Sequence, residues 1–269
     1  MTEDLRNQIH AANVAVHRYE AQFYEVLHPE VYNKEEQDRI SSTLKAIDHL
    51  VTANRRQTLD FGAGTGNLTG KLLNMGYTVT AVDISAEMCS LLKRKYADWL
   101  RTGKLFVVNA SIEDVNFAAE EFDLVACYSV LHHLPDYKEA LRRLSGFLRK
   151  GGVMYIDHEA SPFYWTSEAS NVANLVKSLY FHSNPVLNAL YFQLVGVAVP
   201  TLDYTLSDYW HKKEHPLDHS VIKRVFKEKD FEDCKRTDYY SKKTWIPNPL
   251  FYAYRRFCNP DVSCWIAKK

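Results

Sequence analysis

The chain has 269 residues, enough for one large domain or two small ones. Hydrophobic residues make up 46% and charged residues 25%, which excludes a disordered, collagen-like or disulfide-framework protein. Formal charges cancel (Lys+Arg 33, Asp+Glu 33), so no global field draws the chain to nucleic acid.

Charge is nevertheless uneven: residues 1–50 hold 5 Lys+Arg against 9 Asp+Glu, and residues 201–269 hold 14 against 10. The five cysteines, Cys89, Cys127, Cys234, Cys258 and Cys264, are odd in number and contain no C-x-x-C. That pattern reads as reduced thiols in a cytoplasmic protein rather than disulfides or zinc ligands. The N-terminal MTEDLRNQIHAANV is polar and acidic, unlike a signal peptide. The longest apolar stretch, residues 186–199, is broken by Asn188 and Gln193 and falls short of the roughly 18–20 residues a membrane span needs.

In chain order, residues 1–56 read as a helical arm of two helices, one over residues 5–27 and one after Asn33 with Ile40, Leu44, Ile47 and Leu50 at helical spacing. From Gln57 short apolar runs alternate with amphipathic stretches: QTLDF and a helix from Asn67, YTVTAV and a helix from Ala86, KLFVVN, FDLVACY and a helix from Tyr137, then VMYIDH. Repeated strand–helix units of this length predict an α/β fold, a doubly wound, mostly parallel sheet covered on both faces, over residues 57–159. Asp136 is placed to cap the helix from Tyr137 with Glu139 completing a capping box, and Gly151 and Gly152 to end it. Residues 160–217 form an aromatic insertion with Pro162, Pro185, Pro200 and Pro216 as punctuation. Residues 218–269 carry a helix with Val221, Ile222, Val225 and Phe226 on one side, then two strands, FEDCKRTDYYS and DVSCWIAKK.

The strongest local signal is LDFGAGTGN, residues 59–67, where a strand runs into a glycine turn and straight into a helix. Glycines let a ligand approach the main chain, and the helix start offers free N–H groups. A tight turn without any ligand is the plain alternative. Asp83 ends the second strand about 20 residues beyond the glycines, where an acidic side chain bonds ribose hydroxyls. The third strand ends in NASIED and the fourth in YSVLHHLP. All these marks sit at carboxyl ends of strands, where open α/β sheets bind ligands.

LDFGAGTGN, TAVDIS, NASIED and FDLVACYSVLHHLPD, in this order, resemble the class I S-adenosylmethionine-dependent methyltransferases. The spacing G-x-G-x-G sets the motif apart from the G-x-G-x-x-G of dinucleotide enzymes. The resemblance covers residues 57–158, and it implies a seven-stranded sheet closed by an antiparallel C-terminal hairpin. It implies S-adenosyl-L-methionine as cofactor. Gly62, Ala63 and Gly64 would line the methionine part, Asp60 would lie near its ammonium, and Asp83 would bind both ribose hydroxyls. Ile84 and Met88 would pack on the adenine, and Ser111 and Ile112 would meet its edge, Ser111 replacing an Asp found in many relatives. Tyr128 and Ser129 would lie under the sulfonium, with His133 near the reactive end. Met88 reads equally as plain core. His132 and His133 adjoin, so they are expected to point apart with only one facing the pocket.

On the acceptor side, Asp157-His158-Glu159 after the fifth strand supplies a carboxylate–histidine pair able to take a proton. His133 and His158 are the candidate catalytic bases, with Glu159 able to orient an imidazole. A solvated loop is the alternative, and no second cluster completes a metal site. Aromatics gather in the arm (Tyr19, Phe23, Tyr24, Tyr32), in the insertion (Phe163, Tyr164, Trp165, Tyr180, Phe181, Tyr191, Phe192) and in residues 242–262 (Tyr252, Tyr254, Phe257). They read as lids and walls for a small or medium, partly apolar small-molecule acceptor, or as a helical cap or homodimer interface. Nucleic acid is disfavoured, because the fourth strand lacks an Asn/Asp-Pro-Pro-aromatic motif. An NAD-dependent oxidoreductase and a non-catalytic cofactor-binding protein are the competing classes. NAD binding would mark the first, and cofactor binding without turnover the second.

Overall fold

The computed structural model describes residues 1–52, 55–165, 202–241, 252, 255–256 and 259–269. Seven strands form one sheet in the order β3-β2-β1-β4-β5-β7-β6. They are β1 Gln57–Phe61, β2 Thr78–Asp83, β3 Leu105–Asn109, β4 Phe122–Tyr128, β5 Leu148–Ala160, β6 Glu232–Tyr239 and β7 Val262–Lys268. β1 to β5 run parallel, while β7 is antiparallel to both β5 and β6. This is the seven-stranded sheet with a C-terminal hairpin anticipated above.

Helices cover both faces because strand side chains alternate. In β4, Val125 and Cys127 join one core with Leu141, Leu144, Ile222 and Phe226, from helices α8 (Tyr137–Phe147) and α10 (His219–Glu228). Leu124 and Ala126 face the opposite core with Ile40, Leu44 and Ile47 of α4 (Lys34–Leu50) and Leu72 of α5 (Asn67–Asn74). Helix α4 is thus a cover for the sheet, while the chain before it reaches over the carboxyl edge. The remaining helices are α1 Glu3–Glu20, α2 Tyr24–Leu27, α3 Pro29–Tyr32, α6 Ala86–Lys95, α7 Ala97–Arg101 and α9 Tyr204–Ser207. Among the described residues no helix is long and apolar enough to cross a membrane.

Two expectations need correction. The first helix stops at Glu20 instead of continuing to Leu27; the chain turns through Phe23, whose N–H donates to Glu20 O (2.8 Å), and two single-turn helices follow. The buried Glu20 carboxylate meets His28 Nε2 (3.4 Å), a contact that requires the fold-back. Gly151 and Gly152 do not end α8, which stops at Phe147 and passes directly into β5. Gly151 takes φ +73 within the strand, a left-handed conformation that favours glycine, and a Cβ on Gly152 would lie 2.9 Å from Asp123 O, so Gly152 serves a close backbone approach to β4. Asp136 does cap α8, its Oδ1 accepting from Glu139 N (3.0 Å). Of the insertion, residues 166–201 lie outside the described residues, including Tyr180, Phe181, Tyr191 and Phe192; so do Tyr254, Phe257 and Cys258. The other four cysteines are free.

Candidate active site

Three connected cavities lie at the carboxyl edge of β1, β2, β4 and β5. The first, about 680 Å³ of free space, is lined by Gly62, Gly64, Asp83, Ile84, Ser111 and Ile112, with Tyr128, Ser129 and His133 at its inner end. A small third cavity adds Asp60 and Ala63 and shares Gly62, Gly64, Tyr128 and Ser129 with the first. Ten of the eleven cofactor residues expected from sequence therefore line one continuous space. Met88 does not; it is fully buried and lines neither cavity.

The turn after β1 is built by backbone geometry. Gly62, Gly64 and Gly66 take φ of +72, +52 and +90, the left-handed region that favours glycine. Asp83 ties the second strand to this turn: its Oδ2 accepts from Gly64 N (2.8 Å) and its Oδ1 from Ser85 N (2.8 Å). Each oxygen keeps lone pairs for a hydroxyl donor. Burial raises the pKa of Asp83, opposed by the nearby His17 and by the two N–H donors. Asp60 is 2% exposed; burial lifts its pKa to about 6 against the bond from Thr69 Oγ1 (2.5 Å). Ser111 Oγ donates to Asp114 Oδ2 (2.7 Å), which leaves its lone pairs as acceptors.

The arm contributes more than sequence suggested. His10, Asn13, His17 and Tyr24 line the first cavity. Asn13 Nδ2 donates to His133 O (2.9 Å) and Ser207 Oγ donates to Asn13 Oδ1 (3.1 Å), clamping α1 over the loop after β4. No local pattern marks these residues, since Asn13 and His133 are 120 positions apart. Of the arm aromatics, Tyr24 and Tyr32 line cavities, Tyr19 does not, and Phe23 is 36% exposed.

The second cavity, about 1380 Å³ of free space, opens beside the first and shares His17, Tyr24, Ser129 and His133 with it. His158 and Tyr164 line it; Trp165 does not, but packs edge-on against Tyr164 at 4.8 Å between ring centroids. His132 and His133 do not point apart. They sit in one tight turn, Leu131–His133, with ring centroids 4.0 Å apart, and both line this cavity. Burial, then the charges of His132 and His17, hold His133 well below the usual histidine pKa. Burial alone would lower His132 too, but the Glu159 carboxylate raises it.

Glu159 orients an imidazole, but not that of its neighbour His158. It is fully buried, its Oε1 accepts from Val130 N (2.8 Å) and Leu131 N (2.7 Å), and its Oε2 meets His132 Nδ1 (2.8 Å). The reason is a register shift in β5 against β7 between Ile156 and Glu159, with His158 at φ +60. The bulge turns His158 toward other partners. Its Nδ1 lies 3.1 Å from Tyr128 Oη and 3.2 Å from Tyr239 Oη. Tyr128 Oη donates to Glu36 Oε1 (2.7 Å) and Tyr239 Oη to Asp157 Oδ1 (2.9 Å). Each phenol has one proton, and each gives it to a carboxylate, so both oxygens accept from His158 Nδ1–H. The basic lone pair of His158 is therefore on Nε2. Arg39 completes the network, donating to Glu36 Oε1 (2.5 Å) and Asp157 Oδ2 (2.7 Å).

A family model described as a methyltransferase domain matches residues 59–156, the segment that carries the glycine turn, Asp83 and the β4 loop. An uncharacterized methyltransferase of Mycobacterium tuberculosis is 30% identical over 151 residues, covering 52% of this chain and 73% of its own length. The chain belongs to the class I S-adenosylmethionine-dependent methyltransferases. A ubiquinone biosynthesis O-methyltransferase of Coxiella burnetii is 27% identical over 115 residues, 42% of this chain and 47% of that protein. Two solved structures share the fold. A SAM-dependent methyltransferase from Archaeoglobus fulgidus has TM-score 0.54 at 15% identity, covering 92% of this chain and 100% of that one. Magnesium protoporphyrin IX methyltransferase from Synechocystis, with bound SAH, has TM-score 0.55 at 13% identity, covering 96% and 100%. The cofactor of this methyltransferase is S-adenosylmethionine. The residues present suit it: an acidic pair of oxygens for a ribose, a glycine turn for the amino-acid part and an apolar slot at Ile84 and Ile112 for a base.

Proposed function

We propose that this methyltransferase moves the cofactor's methyl group to a small or medium, partly apolar acceptor held in the second cavity. The observation that carries this reading is the shared wall: His17, Tyr24, Ser129 and His133 belong to both cavities, so a nucleophile in the second faces the inner end of the first. The second cavity mixes apolar walls, such as Val16, Leu27 and Tyr164, with polar groups, which suits an acceptor with one reactive polar end.

The sulfonium methyl is already activated and leaves a neutral thioether behind. Holding the acceptor in line with the carbon–sulfur bond and keeping water out supplies most of the rate, on the order of 7–11 kcal/mol in well-aligned systems. Where the acceptor must lose a proton, His158 Nε2 is the base, with Tyr128 and Tyr239 holding the ring. His133 stands at the junction of the two cavities and guides the acceptor. Glu159 holds the β4 loop in place through its bonds to Val130 and Leu131 and is a positioning residue.

The test is a screen of hydroxyl and amine acceptors with cofactor turnover as readout, followed by His158→Gln with the acceptor found. Loss of the base lowers kcat about 10²–10⁴-fold at saturating cofactor. Full turnover of His158→Gln across pH 6–9 removes His158 from the reaction and leaves positioning as the whole account.

A further inference from the structure

The second cavity is lined by six histidines, His17, His28, His132, His133, His158 and His211, far more than proton transfer needs. Three groups on its wall stand together: one ligand atom each from His132, His133 and Asp208 lies within 4.8 Å of the other two. Asp208 is 75 positions beyond His133, which is why spacing along the chain shows no such cluster.

The hydrogen bonds around the two imidazoles fix which nitrogen is available. His132 Nδ1 faces Glu159 Oε2 (2.8 Å), and His133 Nδ1 faces Ser207 O (2.9 Å) and, at longer range, Asp208 Oδ1 (3.3 Å). A carboxylate and a carbonyl only accept, so both Nδ1 atoms carry a proton, and in each ring Nε2 is the nitrogen whose proton an ion displaces or whose lone pair it takes. An imidazole whose far nitrogen donates to a carboxylate or a backbone carbonyl is the arrangement found behind metal-ligating histidines. Among the described residues neither Nε2 has a hydrogen-bond partner.

The third group is held in register by the chain around it. Trp210 N donates to His132 O (3.1 Å) and Trp210 Nε1 to Leu134 O (2.8 Å). With His133 Nδ1 on Ser207 O, these bonds fasten the segment after α9 to the β4 loop on both sides of Asp208. The Asp208 side chain is 44% exposed, and its Oδ1 already stands 3.3 Å from His133 Nδ1.

We propose that His132, His133 and Asp208 form a site for one divalent transition-metal ion of the zinc class, facing the second cavity. Two imidazoles and one carboxylate match Zn²⁺, Fe²⁺ or Ni²⁺; Mg²⁺ and Ca²⁺ prefer all-oxygen shells. Bonds of about 2.0–2.1 Å around a tetrahedral Zn²⁺ place ligand atoms roughly 3.4 Å apart. The three ligand atoms, within 4.8 Å of one another, therefore draw together by up to about 1.4 Å as the ion binds, with Asp208 exchanging its contact with His133 Nδ1 for the ion. Three protein ligands leave a position open toward the cavity, the pattern of reactive rather than purely structural zinc sites. An acceptor oxygen or nitrogen fills that position, and the ion orients it while His158 remains the base. Metal binding itself does not depend on which acceptor is used, and it is measured without turnover.

The experiment uses the full chain after chelator treatment, titrated with ZnCl₂ by calorimetry and with Co²⁺ by visible absorption. The proposal expects one ion per chain, a Co²⁺ spectrum of tetrahedral intensity, and at least tenfold weaker Zn²⁺ binding in Asp208→Asn and His132→Gln. Circular dichroism and binding of S-adenosylhomocysteine report whether each variant is folded. Asp208→Asn, at a half-exposed position, remains informative if the buried His132 variant fails to fold. Absence of stoichiometric binding, binding of Mg²⁺ in preference to Zn²⁺, or unchanged Zn²⁺ affinity in folded Asp208→Asn overturns the site.

Discussion

Gly62 and Gly64 belong to one motif, but replacing them by alanine has different consequences. Both are left-handed, at φ +72 and +52, which costs an alanine about 1–2 kcal/mol. At Gly62 the new Cβ lies 2.4 and 2.9 Å from the two methyl carbons of Val130, a residue 6% exposed. A β-branched side chain has little freedom to rotate away, so overpacking adds about 1–3 kcal/mol. Gly62→Ala therefore destabilises by about 2–5 kcal/mol. At Gly64 no atom lies within 4 Å of the added carbon, and the residue lines the first cavity. Gly64→Ala loses only about 1–2 kcal/mol of stability, while on the proposed placement of the cofactor its methyl occupies space the ligand needs. Urea unfolding of Gly62→Ala, Val130→Ala and the double variant isolates the clash, with a coupling of about 1–3 kcal/mol expected. Titration with S-adenosylhomocysteine then reads the second effect. Additive Gly62 and Val130 variants, or a Gly64→Ala protein that binds like wild type, refute the reasoning.

His28 ties the arm together, and its pKa is raised to about 9: burial works against the charge, but the bonds to Glu20 and Glu30 outweigh it. A raised histidine stabilises fully below its unfolded value near 6.5, and that contribution is lost as pH rises through about 9. The side chain is 30% exposed, so screening reduces the effect to about 1–2 kcal/mol. Unfolding midpoints of wild type and His28→Gln should converge between pH 6.5 and 9; a constant gap contradicts the assignment. Burial lifts the Asp60 pKa to about 6, and on the proposed placement the cofactor's ammonium beside it favours its charged form. Cofactor binding near pH 6 should release a proton in wild type and none in Asp60→Asn, measured by calorimetry in buffers of different ionisation enthalpy. Equal release in both proteins excludes Asp60 as its source.

The sheet was legible because its signals are local. Each parallel strand is a short apolar run, and the turn at residues 62–66 favours glycine at its three positions of positive φ. Asp83 was legible because strand and turn spacing place an acid there whatever the rest of the chain does. Residues whose roles come from distant partners were not. Glu159 looked like a companion of His158, but a bulge at that point of β5 sends it to His132, 27 positions back. Asn13 and His17 gain their place only because α1 folds over the β4 loop. Asp208 meets the histidine pair through bonds from the Trp210 backbone and indole that no periodicity announces. The helix break at Glu20 was hidden for the same reason: no glycine or proline marks it, and the cause is a contact with His28.

The claim on which the rest depends is that the first cavity holds the cofactor with Asp83 on its ribose. Calorimetric titration of S-adenosylhomocysteine into wild type and Asp83→Ala tests it most directly, with unfolding measured in parallel. Loss of a charged, buried acceptor costs about 1.5–3 kcal/mol, so the account predicts affinity weaker by roughly ten- to hundredfold in a folded variant. Unchanged affinity in folded Asp83→Ala would contradict it.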